Sequence, residues 1–154
     1  MNVVTSWRAG RDFPAPSRAR LRTMARKAAE FAGPADLEGT VCISFLTPKA
    51  MAKANEAFLS HHGPTDVICF DYRPCDADDV AVELLVCPAV AFREARKRAL
   101  PYAREVALYV SHGLLHAAGY DDLNPTAKRA MRRAEARVMR ALDRENLIPE
   151  MTPL

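Results

Sequence analysis

A chain of 154 residues with 49% hydrophobic content is long enough for one domain with a real core, and no apolar run approaches the roughly 18 residues that cross a bilayer. The formal charge of +3 conceals an asymmetry: residues 1–27 carry seven basic side chains against Asp12 alone, residues 125–144 seven against Glu135 and Asp143, and residues 28–124 eight against fourteen acidic. Two basic segments around an acidic middle, with Arg outnumbering Lys 17 to 5, suit a polyanion such as nucleic acid, although charged helix faces and an Arg-rich coding bias leave the same mark.

Met1 to Pro14 lacks the apolar stretch of a signal peptide and reads as a short strand, Val3 to Trp7, followed by a polar turn. A basic amphipathic helix is predicted from Ser17, its N-cap, to about Phe31, with Gly33-Pro34 as the stop. Val41 to Leu46 reads as a strand, and Thr47-Pro48 opens a helix to about Phe58. A loop from Leu59 to Pro64 holds His61 and His62. Two β-rich runs follow, Asp66 to Tyr72 and Val80 to Cys87, joined by the hairpin chemistry of Arg73 to Asp79. That acidic link lacks the glycine and spacing of a calcium loop and is expected to be a solvated turn.

Pro88 starts a helix to about Leu100, which Pro101 breaks while opening the next. That next helix is apolar nearly all round, through Val106, Ala107, Leu108, Val110, Leu114 and Leu115, which places it at the domain centre. The last helix starts at Asn124-Pro125, with Ala127, Met131, Ala134 and Val138 as its buried stripe and Arg129, Arg132, Arg133 and Arg140 mainly away from it. Cys42, Cys69, Cys75 and Cys87 form no CxxC pair and are expected to be reduced thiols in a cytoplasmic protein. Strands alternating with helices, then a hairpin, then three helices, predict a single α/β (α+β) domain over residues 1–154, with strands of mixed direction.

The central helix ends in His112-Gly113-Leu114-Leu115-His116-Ala117-Ala118-Gly119-Tyr120-Asp121-Asp122. Residues four apart share a helix face, so both imidazoles can reach one point. Gly119 can take the left-handed conformation that ends a helix, and Asp122 can then fold back toward the rings. Two nitrogens and one oxygen on one side of a cation are the arrangement of a catalytic metal site, whereas a histidine pair alone is equally compatible with core residues bonded to carbonyls. Zinc proteases of the HExxH type carry a general-base Glu after the first histidine, but Gly113 stands there, so a peptidase of that type is not expected. A hydrolase of this kind would use water activated by the ion or a base from another segment. Asp121 is an adjacent loop acid. Asp66 is suited either to orient a ligand histidine or to cap its own turn.

These residues resemble the YbeY-type endoribonucleases, the bacterial rRNA maturation factors, whose signature is HGxLHLxGYDH. Asn55-Glu56-Ala57-Phe58 followed by Pro64-Thr65-Asp66-Val67-Ile68-Cys69-Phe70 resembles the family's LN…PTDVLSF block, and Met131 with Glu135 resembles its C-terminal helix. The similarity runs from about Val41 to Leu142. It implies a mixed four-stranded sheet packed by about five helices, one zinc ion, and metal-dependent cleavage of single-stranded RNA in rRNA processing, with RNA and the ribosome as partners. By position, His112 and His116 match the first two zinc ligands, and Asp122 stands where the family has a third histidine.

A carboxylate is an accepted zinc ligand, but a His₂Asp set also suits iron, manganese or nickel. It lowers the net charge of the site, so a higher pH optimum is expected than in a relative with three imidazoles. The family's arginine four residues after the LN asparagine is Leu59 here, which cannot hold a phosphate; His61, His62 and Arg73 are candidates for that role, although the histidine pair is read first as a solvated loop feature. The loss favours a second reading, a non-catalytic ribosome-assembly or RNA-binding factor that keeps the fold. A third, a 2-His-1-carboxylate oxygenase, would need Fe(II) and an organic co-substrate.

Overall fold

A computed structural model describes residues 1–33, 38–59, 67–73 and 79–154, the side chains of 58 and 59 excepted. Within them the order is β1 (Asn2–Arg8), α1 (Arg18–Ala32), β2 (Thr40–Leu46), α2 (Pro48–Leu59), β3 (Val67–Asp71), β4 (Val80–Val86), α3 (Pro88–Lys97), α4 (Tyr102–Ala117) and α5 (Pro125–Arg144). The strands form one mixed sheet in the order β1-β2-β4-β3. β1 and β2 run parallel, as do β2 and β4, while β3 lies antiparallel to β4. This is the α/β architecture with a mixed four-stranded sheet and five helices that the chain's pattern and its resemblance predict.

Each strand's side-chain pattern follows its place. In β2 the alternation is strict, with Val41, Ile43 and Phe45 buried on one face. β4, paired on both edges, buries side chains on both faces: Ala81, Val82, Leu84, Leu85 and Val86. Among the described residues β3 pairs with β4 alone, and β3 forms one wall of a cleft.

The helix punctuation is mostly local. Ser17 Oγ accepts from the Arg20 amide and Gly33, at φ 65°, closes α1. α3 stops at Lys97, three residues short of the expected Leu100. Pro101 disfavours helical backbone at the residue before it, so the chain leaves the helix early: Ala99 takes φ 53° and the Leu100 amide returns to the Ala95 carbonyl. In α5, Ala127 of the first turn is only half-buried, and the buried stripe begins at Met131 and continues to Leu142.

α4 packs against α1, α3, α5, β3 and β4. At Gly113 it lies close against the sheet: a Cβ there would lie 2.9 Å from Leu84 Cδ2 and 3.1 Å from Val67 Cγ2. The glycine after the first histidine therefore lets the histidine-bearing helix lie directly on β3 and β4.

Candidate metal centre

Helical spacing sets the two imidazoles of α4 side by side. The ring centroids of His112 and His116 are 4.6 Å apart and nearly perpendicular, with their Nε2 atoms 3.0 Å from each other. Two ligand nitrogens held 2.0–2.1 Å from one tetrahedral ion would be separated by about 3.3 Å. The observed spacing is close to that value, so the pair fits a shared cation.

The helix then ends in a Schellman turn. Gly119, at φ 103°, donates from its amide to the His116 carbonyl, and the Tyr120 amide donates to Leu115, both at 3.0 Å. The reversal brings Asp122 Oδ2 to 3.9 Å from His112 Nε2. His112, His116 and Asp122 present ligand atoms that all lie within 4.8 Å of one another. Asp121 stays outside this group, its Oδ1 accepting from the Leu123 amide as a turn cap. Asn124 caps α5 by accepting from Ala127 and so starts the helix that returns past the site.

That return supplies a residue whose contact the sequence does not reveal. Glu135 Oε1 of α5 lies 2.6 Å from His112 Nδ1, with both side chains mostly buried. A carboxylate at Nδ1 holds the ring proton there and leaves the Nε2 lone pair facing His116 and Asp122, as a metal-ligating imidazole requires. The available signal was Glu135's place beside the apolar stripe, between Met131 and Val138.

The three side chains open onto a cleft of about 500 Å³, shared with Val67, Ile68, Cys69 and Asp71 of β3. Burial, and then the charge of Asp71, push the Cys69 thiol up to about 11, so it keeps its proton at neutral pH when no cation lies beside it. Asp71 is clamped by Arg73, whose Nε and Nη2 donate to its two oxygens at 2.9 and 2.6 Å. This hydrogen bonding holds the Asp71 carboxyl below its ordinary range. Arg73 Nη2 also donates to the Ala117 carbonyl in the last turn of α4. Arg73, a candidate phosphate ligand, is thus mainly engaged in tying β3 to the end of α4. His61, His62 and Asp66, and the side chain of Leu59, lie outside the described residues.

Among the described residues Cys42, Cys69 and Cys87 are free thiols, and no described helix is long and apolar enough to cross a membrane.

A compact His/His/carboxylate cluster on an α/β frame is the kind of site found in metal-dependent hydrolases. The family model described as Endoribonuclease YbeY matches residues 13–143. Among curated relatives, an endoribonuclease YbeY of Porphyromonas gingivalis is 34% identical over 116 residues, covering 75% of each chain. That of Rhodopirellula baltica is 36% identical over 106 residues, covering 68% of this chain and 54% of its own. The solution structure of TM1509 from Thermotoga maritima matches over 93% of both chains, with a TM-score of 0.59 and 22% identity, a likeness of fold. The chain belongs to the endoribonuclease YbeY family. The match spans little more than half the length of some relatives, 56% for the Frankia casuarinae protein.

Proposed function

We propose that this chain is a metal-dependent endoribonuclease that cleaves single-stranded RNA during rRNA maturation in the cytoplasm, with residues 1–154 as one hydrolase domain. The observation that carries the reading is the convergence of His112, His116 and Asp122, with Glu135 hydrogen-bonded behind His112. In it, His112 Nε2, His116 Nε2 and an Asp122 oxygen hold one zinc ion, although the carboxylate also suits iron, manganese or nickel. Such an ion supplies Lewis acidity toward a phosphoryl oxygen and lowers the pKa of water.

The chain's own groups do the rest. Glu135 retains the proton at His112 Nδ1, so the ligand nitrogen stays available. All three ligands lie on the cleft side, which leaves that side open to a phosphodiester. The Arg73–Asp71 clamp ties β3, one wall of the cleft, to the end of α4. RNA and the ribosome are the partners in this reading.

Leu59, in place of a family arginine, favours a second reading in which the chain keeps the fold and binds RNA during ribosome assembly without cutting it. A cleavage assay on single-stranded RNA with added zinc separates the two. Cutting by the wild type and not by His116→Ala is expected. An inert wild type that holds stoichiometric zinc would overturn the nuclease reading and leave the assembly factor.

A further inference from the structure

The chemistry at His112 uses one side of α5 and leaves the opposite side unexplained. That helix carries Lys128, Arg129, Arg132, Arg133, Arg137, Arg140 and Arg144 against only Glu135 and Asp143. At about 100° per residue, Glu135 falls on the inner side, with Met131, Val138 and Leu142. Arg129, Arg133, Arg137, Arg140 and Arg144 fall within about 80° of arc on the far side. All five are exposed.

The acids of α5 do not serve them. Glu135 is bonded to His112, and Asp143 accepts from Arg104 of α4. Among the described residues none of the five has a carboxylate partner; Arg129 alone is bonded within the helix, to Thr126 Oγ1. Like charges three and four residues apart destabilise a helix, so the fold gains nothing from this stripe. The apolar side of α5 is buried in the core and unavailable for insertion into lipid. A row of planar guanidinium forks about 22 Å long matches a chain of phosphates.

We propose that this outward arginine stripe is a docking surface for the phosphodiester backbone of RNA, separate from the cleft and indifferent to base sequence. It rests on the reading of RNA as substrate and adds where the uncut part of the molecule is held. Binding through it needs no metal and follows salt concentration. Each phosphate contact contributes about 0.7 to 0.9 to the slope of log affinity against log salt.

The test is fluorescence anisotropy with the full chain in chelator, using an RNA stem-loop with single-stranded flanks, between about 50 and 300 mM salt. The triple substitution Arg133→Gln, Arg137→Gln, Arg140→Gln is expected to lower the slope by about 2 to 3 and the affinity at least tenfold near physiological salt. Arg93→Gln, Arg96→Gln, Lys97→Gln on α3 removes the same charge elsewhere and should leave the slope within about 0.5. The α5 variant should melt no lower than wild type at low salt, because repulsion has been relieved.

An unchanged slope in the α5 variant overturns the proposal, as does an equal loss from both triples, which would reflect net charge alone. Loss of binding to phosphatidylglycerol vesicles with RNA binding intact would assign the stripe to a lipid surface and also overturn it. A wild type that binds RNA through α5 but never cuts would sink the nuclease reading and leave this one standing.

Discussion

Replacing Glu135 tests whether the carboxylate behind His112 supports metal binding. Glu135→Gln keeps an oxygen that can accept from Nδ1 but removes the charge; Glu135→Ala removes both. The contact spans 2.6 Å between mostly buried groups, the geometry of a charge-assisted bond. Losing such a partner typically costs about 10- to 100-fold in metal affinity, or about 1.4 to 2.7 kcal/mol. The glutamine variant, which preserves the tautomer, should fall near the lower figure and the alanine variant near the upper. Zinc dissociation constants from competition with a chromophoric chelator give the magnitudes. Nitrogen NMR of the metal-free protein should show His112 protonated at Nδ1 in wild type and Glu135→Gln, with a mixture of tautomers in Glu135→Ala. Zinc affinities within twofold of wild type for both variants, in protein with unchanged circular dichroism, would refute the reasoning.

Two further outcomes follow from packing and charge near the cleft. Gly113→Ala gains about 1 kcal/mol of helix propensity but drives a methyl into fully buried Leu84 and into Val67, an overpacking worth about 1 to 3 kcal/mol. A net loss near 1 kcal/mol in urea unfolding is expected, and a more stable variant would show that the helix does not lie so close to the sheet. Cys69, with its thiol pushed up to about 11, should react slowly with iodoacetamide at about pH 8 and much faster above about pH 10, because the thiolate is the nucleophile. Asp71→Asn removes a negative neighbour, lowers that value and should speed labelling at about pH 9; slower labelling would contradict the assigned cause.

Much of the site was legible in the chain because its parts are close together along it. The His112–His116 spacing, the Gly119 reversal and the Asn124-Pro125 start of α5 all depend on backbone geometry within a few residues, and the structure keeps each of them. Asp122 lies three residues beyond Gly119 and joins the cluster through the same turn. Two local readings needed correction: α3 ends at Lys97 rather than near Leu100, because Pro101 acts on the residue before it, and Ala127 in the first turn of α5 is only half-buried, so that stripe begins at Met131.

What the chain alone determined, then, is the order and type of its elements and a local His/His/carboxylate cluster, since helix rise and turn chemistry operate over single turns. Tertiary structure decided which distant groups meet that motif: Glu135, 23 residues from His112, Arg73 reaching Ala117, and β3 as the facing wall. Those meetings depend on how α5 and the sheet pack against α4. Sequence spacing carries no record of that packing, because every residue on a helix face is an equal candidate until a neighbour settles against it.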